Sequence, residues 1–316
     1  MHSTSDKSHR WGVLLAGGDG TRLQELTRRI SGDKRPKQFC PLFEGKSLLG
    51  NTRERIGPIF RKDRTVFALA RAHECFYRSH LADVRDGCKV IQPGNRGTAV
   101  AMALCLRVVM EQDEDAVVAF FPSDHHYLDN SAFREHVEVA LNQIEEYPHS
   151  LLILGAEARY PELEYGWIEP GRTLVDSSIS PLLRVSRFWE TPEPSYAETL
   201  HRRGCLWNTF VTIGLAGAFV EMLQATVPHL MRSLDDVHSD NELEGFYESV
   251  APIDFSRAVL TRMPERLIVL RDANSGWTDL GSPDRVMNVF GRRSEVSGSR
   301  ALRGHVSTSE IRSVNV

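Results

Sequence analysis

Cysteine is scarce in this chain and shows no framework spacing. The 316 residues hold an odd number of cysteines, five, and no two of them are spaced as C-x-x-C. They are Cys40, Cys75, Cys88, Cys105 and Cys205. A disulfide-stapled domain and a cysteine-based zinc site are therefore not expected, whereas free thiols in a reducing compartment are.

Long apolar runs and a surplus of basic charge are missing as well. No apolar run is long enough to span a bilayer, and residues 1–10 are polar and lack the apolar core of a signal peptide. Lys plus Arg number 38 against 42 for Asp plus Glu, so the net charge is -4 and gives no footprint for bulk nucleic-acid binding. We expect a cytoplasmic protein whose partners are small molecules, not nucleic acid or a membrane. The sequence leaves a homodimer open.

The first half of the chain consists of short apolar runs that alternate with helical patterns. The predicted strands are Trp11–Ala16, Thr65–Ala70, Cys88–Gln92, Ala116–Pro122 and Leu151–Ala156. The predicted helices run from a Ser47 cap to about Ile56, over Thr98–Met110 with Thr98 available as its cap, and from Asn130 or Ser131 to about Glu146. Continuous apolar strands separated by helices indicate a parallel sheet covered on both faces.

The regular alternation of predicted strands and helices ends after Ala156. We interpret the residues that follow as α+β elements added to the same core. The predicted elements there are strands Leu183–Trp189, Leu206–Leu215 and Leu267–Leu270 and helices Ala216–Ala225 and Pro283–Phe290. We predict a single α/β domain over residues 11–291, with a mostly parallel mixed sheet flanked by helices. Its halves are 11–156 and 157–291, and residues 1–10 and 292–316 are peripheral tails.

A buried strand runs straight into a glycine-rich turn at Leu14–Leu23 (LLAGGDGTRL). Glycines let backbone N–H groups approach phosphate oxygens, and Arg22 can bind the same phosphates through several donors. A dinucleotide fingerprint is excluded because Leu23 stands at its third glycine, and a Walker A loop because Cys40 stands at its first glycine. Taken alone, these glycines are equally consistent with a plain tight turn.

Further motifs follow this loop in a fixed order and resemble those of the sugar nucleotidylyltransferases. They are Leu15–Leu23 (LAGGDGTRL), Arg35–Phe39 (RPKQF), Gln92–Ala99 (QPGNRGTA), Phe121–His125 (FPSDH), Tyr165–Ile168 (YGWI), Phe188–Pro192 (FWETP), Trp207–Asn208 and Gly276–Ser282 (GWTDLGS). The Pro-Lys-Gln-Phe form resembles the mannose-1-phosphate guanylyltransferase (GDP-mannose pyrophosphorylase) branch. Each motif is weak alone, but their shared order over most of the chain is specific.

The resemblance implies a Rossmann-like nucleotidyltransferase fold with a nucleotide-binding first half and a sugar-binding second half. It implies Mg²⁺-dependent nucleotidyl transfer from an NTP to a hexose-1-phosphate, giving a nucleotide sugar and pyrophosphate. The branch points to GTP and mannose-1-phosphate. Two alternatives stay open: the same chemistry with another NTP and hexose-1-phosphate, and a weakly active regulatory protein that binds nucleotide sugars.

The same resemblance assigns roles to individual residues. Catalytic roles fall to Arg22, Lys37 and Asp124, and the Mg²⁺ ligands would be Asp124 and Asp279. Asp124 also follows a predicted buried strand, where open α/β sheets place ligands, and carboxylate oxygens suit Mg²⁺. For Asp279, an Asx-turn in a loop is the alternative.

The remaining assignments concern the two substrates. Nucleotide contacts would come from Gly17, Gly18, Gly20, Thr21, Thr98 and Asp124, and sugar contacts from Gly166, Glu190 and Asn208. Carboxylate and amide groups suit a polyol because they hydrogen-bond to adjacent hydroxyls. A plain helix cap explains Thr98 equally well.

The chain departs from the family's pattern at several positions. Thr191 stands where the pattern has a lysine that would help anchor the sugar phosphate, and Arg187 or Arg172 could replace that cation. Gly97 stands where the pattern has an asparagine, so a nucleotide contact is lost. Thr209-Phe210 follow Asn208 without the glycine that the pattern has soon after.

Overall fold

The computed structural model of the chain describes residues 7–43, 45–176 and 180–296, with 291–296 described by backbone alone. The strands are β1 (Arg10–Leu15), β2 (Thr65–Ala70), β3 (Lys89–Gln92), β4 (Val117–Pro122), β5 (Leu151–Glu157), β6 (Gly166–Val175), β7 (Leu182–Glu190), β8 (Leu206–Leu215) and β9 (Leu267–Asp272). The helices are α1 (Gln24–Ser31), α2 (Leu48–Ile56), α3 (Glu74–Tyr77), α4 (Thr98–Met110), α5 (Asn130–Gln143), α6 (Pro194–Arg202), α7 (Ala216–Thr226), α8 (Pro228–Asp235), α9 (Asp240–Ser249) and α10 (Pro283–Val296). Within these residues no helix is long and apolar enough to cross a membrane.

All of these strands form a nine-stranded sheet in the order β3-β2-β1-β4-β8-β5-β9-β7-β6. Strands β3, β2, β1 and β4 are parallel, and β5 is parallel to β9. Strand β8 runs antiparallel between β4 and β5, and β6 and β7 are antiparallel at the far edge. The mixed sheet flanked by helices confirms the predicted α/β fold class.

Alternating residues of the central strand β4 build two apolar cores, one on each face of the sheet. Val118 and Phe120 pack in the core that holds α4, α7 and α8. Val117, Ala119 and Phe121 pack in the core that holds α2 and α5. The period of two along a strand explains the division, and burial on both faces explains why β4 is apolar throughout.

A third, smaller core positions the segments that carry the candidate site. It joins Leu23 and Leu26 to the loop at Cys40–Phe43 and to Leu280 and Val286. These residues flank the glycine-rich turn, Lys37 and Asp279. Packing therefore holds together three segments that are far apart in sequence.

The structure differs from the predicted elements in particular places. Strand β6 was not predicted, because Pro170 and Gly171 interrupt it and its pairing with β7 shifts register there. Helix α5 is capped by Asp129, whose side chain accepts the N–H groups of Ser131 and Ala132. Ser47 caps α2 as predicted, accepting the Gly50 N–H.

The predicted tails coincide only in part with described residues. Arg10, which the sequence placed in the first tail, is the first residue of β1, and its guanidinium donates to Glu138 and Asn142. Residues 292–296 continue α10. Residues 1–6 and 297–316 of the tails lie outside the described residues.

Candidate active site

A cavity of about 410 Å³ lies where the parallel strands end, and every residue predicted for the site lines it or the cavity beside it. The large cavity is lined by Gly17, Gly18, Gly20, Thr98, Asp124, Gly166, Glu190, Asn208 and Asp279 among others. The adjoining cavity, of about 290 Å³, is lined by Thr21, Arg22 and Lys37 and shares Gly20, Asn95 and Asp124 with the first. The motifs of both halves of the chain thus meet at one place.

At two glycines of the turn, neighbouring atoms leave little room for a Cβ atom. Gly20 has φ 61°, and a Cβ there would lie 2.8 Å from the Lys37 backbone nitrogen. A Cβ at Gly17 would lie 2.9 Å from the side-chain nitrogen of Gln92. The Gln38 amide donates to the carbonyl oxygens of Ala16 and Gly18, at 2.9 and 2.7 Å. The turn is therefore packed tightly against the Lys37–Gln38 segment, which explains why both motifs are needed.

Lys37 joins the two carboxylate-bearing loops of the site. Its side-chain nitrogen lies 2.9 Å from Asp124 Oδ2 and donates to the Asp279 backbone carbonyl at 2.5 Å. Lys37 is only 5% exposed. A buried ammonium needs such partners, because desolvation disfavours the charged form.

A short backbone bridge explains how Asp124 and Asp279 meet. His126 and Thr278 exchange N–H···O bonds of 2.9 Å in both directions, as in an antiparallel sheet. The loop after β4 is thereby tied to the loop before α10. Asp124 lies two residues before this bridge and Asp279 directly after it, so the bridge fixes their approach.

Both carboxyl groups stay ionised despite their surroundings. Burial raises the pKa of Asp124, but the attraction of Lys37 and His125 outweighs it, so the pKa lies below its usual value. Burial likewise opposes ionisation of Asp279, but Arg285, His125 and Lys37 hold its pKa below the usual value. The site therefore presents negative oxygen atoms beside positive side chains.

Arg285 and Tyr165, which sequence analysis missed, hold the Asp279 carboxylate in place. The Arg285 guanidinium donates to both Asp279 oxygens at 3.0 and 3.2 Å, and the Tyr165 hydroxyl donates to Oδ1 at 2.7 Å. Arg285 also pairs with Glu162 and lies over the Tyr165 ring. Arg285 stands six residues after Asp279 on the predicted helix, but nothing in that spacing pointed to a buried ion pair.

The donor set suits a magnesium ion. Asp124 and Asp279 offer hard, ionised oxygen atoms at one cavity, which is what Mg²⁺ prefers. Asp279 Oδ1 is engaged by several donors, whereas the donors nearest Oδ2 are farther away, at 3.2 Å from Arg285 and 3.8 Å from Arg22. In the described residues no group of three or more His, Cys, Asp or Glu converges. An ion at this cavity would be held by one or two carboxylates together with substrate phosphates, as Mg²⁺ commonly is.

The predicted sugar residues face each other on the second half of the sheet. Gly166 pairs with Glu190 in register, and a Cβ at Gly166 would lie 2.8 Å from Glu190 Oε2. That oxygen is buried and has no hydrogen-bond partner among the residues that the structure describes. Burial and the nearby Asp254 raise the pKa of Glu190 to about 7, although Arg257 lowers it. An unsatisfied buried acceptor beside a cavity is a ready partner for a ligand hydroxyl.

Thr98 does not cap helix α4, so the helix-cap alternative for this residue is wrong. The N-cap is Gly97, which has no side chain to accept a hydrogen bond from the first turn. Thr98 is the first helical residue; its hydroxyl accepts the Phe255 N–H at 2.8 Å and lies 3.2 Å from the Asp254 carboxylate. The Thr98 hydroxyl thus hydrogen-bonds to a segment far away in sequence, a contact that the residues around Thr98 could not predict.

Non-glycine residues in the left-handed backbone region lie beside the cavity. In the described part of the chain they are Thr191, Phe210 and Leu280, with φ of 48°, 67° and 52°. Thr191 follows Glu190, Phe210 lines the cavity, and Leu280 follows Asp279. Such conformations cost free energy and cluster at functional sites. Phe210 also lies where the family's pattern leads one to expect a glycine.

A family profile described as Nucleotidyl transferase matches residues 11–293 of this chain. The chain is 23% identical to a mannose-1-phosphate guanylyltransferase of Escherichia coli, over 95% of this chain and 64% of that protein. It is 25% identical to a mannose-1-phosphate guanylyltransferase of Klebsiella pneumoniae, over 85% of this chain and 58% of that protein. The chain thus spans less than two thirds of the length of these curated relatives.

Solved structures give the same picture of the fold. A structure named mannose-1-phosphate geranyltransferase, from Thermus thermophilus, superposes with a TM-score of 0.77 at 29% identity, covering 89% of this chain and 79% of that one. A structure named mannose-6-phosphate isomerase, from Helicobacter pylori, superposes with a TM-score of 0.65 at 19% identity, covering 85% and 99%. The second likeness bears on fold alone.

Proposed function

The chain belongs to the nucleotidyl transferase family, and we propose that it transfers a nucleotidyl group from GTP to mannose-1-phosphate. In this reaction a phosphate oxygen of the sugar phosphate attacks the α-phosphorus of the triphosphate. The bond between the α-phosphorus and the bridging oxygen breaks, and pyrophosphate leaves. The products are a nucleotide sugar and pyrophosphate.

One observation carries the proposal: the adjoining cavities. The end of the glycine turn, Gly20–Arg22, and Lys37 line the smaller one. The larger one is lined by Gly17, Gly18 and Thr98 together with the predicted sugar residues Gly166, Glu190 and Asn208. Asp124 lines both, so it lies where the two substrates would meet. Phosphates of the triphosphate in the small cavity, with the nucleoside and the sugar in the large one, would bring the reacting atoms together near Asp124.

Positioning and charge neutralisation would supply most of the rate. Arg22 and Lys37 neutralise the triphosphate and the charge that develops on the leaving pyrophosphate. When bound by Asp124 and Asp279, Mg²⁺ would supply further positive charge at the phosphate oxygens. Lys37 also orients Asp124, because its ammonium contacts that carboxylate.

The choice of GTP and mannose-1-phosphate rests on similarity. The Pro36-Lys37-Gln38-Phe39 motif is that of the guanylyltransferase branch, and the E. coli and Klebsiella relatives carry that name. We place the reaction in the cytoplasm, in keeping with five free thiols. Another NTP and hexose-1-phosphate would use the same residues for the same chemistry.

A substrate panel tests the proposal. The purified chain is incubated with Mg²⁺, each NTP in turn and a set of hexose-1-phosphates, and released pyrophosphate is measured. The highest rate is expected with GTP and mannose-1-phosphate. A higher rate with another pair would correct the substrates. No pyrophosphate from any pair, with nucleotide binding retained, would contradict the enzyme and favour a regulatory nucleotide-sugar-binding protein.

A further inference from the structure

The large cavity is rich in carboxylates on the side where a sugar phosphate would bind. The acidic residues that line it are Asp124, Glu164, Glu190, Asp254 and Asp279. Among its lining residues, all in the described part of the chain, there is no lysine or arginine. A phosphate monoester carries a charge of about -1.5 to -2 at neutral pH. Such an anion needs a cation near Glu190, because like charges at short range repel.

Arg257 lies at this side of the cavity and is exposed. Arg257 lies on a single π-helical turn, Ser256–Leu260. Asp254 and Ser256, which precede it in the chain, both line the cavity. The Arg257 guanidinium donates to the Thr191 hydroxyl at 3.1 Å. Thr191 is the residue directly after Glu190. Single π-helical turns are frequent at functional sites. Arg22 and Lys37, by contrast, line the small cavity.

The backbone of Thr191 is held in an unfavourable conformation that keeps this contact. Its φ of 48° is unusual for a β-branched residue. Surroundings that over-determine such a conformation are typical of ligand-binding positions. The sequence suggested Arg187 or Arg172 as a cation near Thr191, but the guanidinium that contacts its hydroxyl belongs to Arg257.

The segment that carries Arg257 reaches the site because residue 97 is a glycine. Gly97 has φ 83°, and a Cβ there would lie 2.4 Å from the Ile253 carbonyl oxygen. Ile253 hydrogen-bonds on both sides of Gly97, donating to the Arg96 carbonyl and accepting from the Ala99 N–H, each at 3.0 Å. An asparagine at position 97 would push this backbone away. The departures at 97 and 191 therefore involve the same short segment.

We propose that Arg257 binds the phosphate of the hexose-1-phosphate, and that Gly97 allows the 251–257 segment to dock where Arg257 reaches it. This inference rests on the proposed function. It assigns the sugar-phosphate charge to a residue outside all of the recognised motifs. Arg257 is therefore a substrate-binding residue, since it would contact the phosphate group whose oxygen attacks the α-phosphorus.

The first test is Arg257→Ala, assayed by pyrophosphate release with GTP and mannose-1-phosphate. The KM for mannose-1-phosphate should rise about tenfold to a hundredfold, the range for a lost charge-assisted hydrogen bond. The KM for GTP should stay unchanged. Arg232→Ala, an exposed arginine on α8 that lines none of the cavities, is the matched control and should behave like the parent.

The second test restores the charge from the neighbouring position. Because the Thr191 hydroxyl contacts the Arg257 guanidinium, Thr191→Lys places an ammonium in the same region. In an Arg257→Ala background, Thr191→Lys should bring the KM for mannose-1-phosphate most of the way back. A structural role for Arg257 would show no such rescue.

The outcomes separate this inference from the proposed function. An active parent whose KM for mannose-1-phosphate does not change in Arg257→Ala overturns the role of Arg257 and leaves the function standing. A parent inactive with every substrate pair overturns the function. In that case calorimetric titration at pH 9, where Glu190 is ionised, decides the role of Arg257: Arg257→Ala should weaken binding of mannose-1-phosphate but not of free mannose. Equal binding of mannose-1-phosphate by parent and variant would overturn it.

Discussion

Lys37 is a lysine whose side chain is almost entirely withdrawn from solvent. The usual fate of lysine is a solvated surface position. Here Pro36 precedes it, a 3₁₀ turn fixes its backbone, and Asp124 supplies its counter-charge. The motif could be recognised from sequence, but the partners of Lys37 could not, because they follow strands far along the chain.

Glu190 gives the residue-scale prediction of pH dependence. Its pKa of about 7 means that the carboxyl ionises as pH rises through neutrality, and only the ionised form accepts from two sugar hydroxyls. One pH unit below and above the pKa, the ionised fraction is about a tenth and nine-tenths. The KM for mannose-1-phosphate should therefore fall roughly tenfold between pH 6 and pH 8.

Glu190→Gln is the control for this measurement. The variant keeps the shape of the side chain but cannot ionise, so the part of the pH dependence due to Glu190 should vanish while the titration of the substrate phosphate remains. Burial is the main cause of the raised pKa of Glu190; of the neighbouring charges, Asp254 raises that pKa further and Arg257 lowers it. A KM profile that is the same in parent and variant would refute the role of Glu190.

The same shift has a consequence for stability. The pKa of Glu190 in the folded chain is raised above its ordinary value of 4.5. The folded state therefore holds the proton more tightly than the unfolded state. This contribution to stability is fully present below about pH 4.5 and is lost as pH rises through about 7.

At the scale of elements, sequence predicted best what burial determines most strongly. Strands β1, β2, β4 and β5 are continuous apolar runs, and each was placed to within a residue or two. Strand β6 was not predicted from sequence, because only its first residues, Gly166–Ile168, are buried, while the rest is partly exposed and contains a proline. Helix α9 was not predicted either, because it is largely polar and shows no clear apolar periodicity.

The contacts that complete the site were not predictable for a different reason. The Thr98 hydroxyl binds Phe255, and the Tyr165 hydroxyl binds Asp279, over separations of 157 and 114 residues. Neither partner belongs to the local pattern of the residue it contacts. The motifs thus predicted which residues meet at the cavity, whereas the residues that hold them in position became visible only in the fold.

Gly97→Ala tests the docking of the 251–257 segment. The methyl group would clash with the Ile253 carbonyl, and the positive φ adds strain, so unfolding free energy should fall by about 1–3 kcal/mol. Urea denaturation measures this, and the KM for mannose-1-phosphate should rise in parallel because Arg257 moves. Gly94→Ala is the matched control, since a Cβ there meets nothing within 4 Å. Equal stability of the two variants would show that the segment does not depend on Gly97.

At the scale of the whole molecule, a continuous sheet unites the two substrate-binding portions. Strand β8 pairs with β4 of the first half and β5 on its other side, so Asn208 is fixed relative to the strand that precedes Asp124. The His126–Thr278 bridge adds a second link at the mouth of the site. The division into halves at residue 156 stays a prediction, because the sheet runs across it.

Our most important expectation is that Asp124 and Asp279 would hold a magnesium ion at the cavities where Arg22 and Lys37 would bind phosphates. Its most direct test is the Mg²⁺ dependence of pyrophosphate release in Asp124→Asn, which keeps the size and the hydrogen bond to Lys37 but removes the charge. Asp86→Asn, at a fully exposed carboxylate, is the control.

We expect Asp124→Asn to lose about a hundredfold or more in Mg²⁺-dependent rate while it stays folded. Its melting temperature should be lower than the parent's, because the buried Lys37 ammonium loses its counter-charge. Asp86→Asn should respond to Mg²⁺ as the parent does. An Asp124→Asn enzyme with the parent's rate and the parent's Mg²⁺ response would contradict a magnesium site at Asp124.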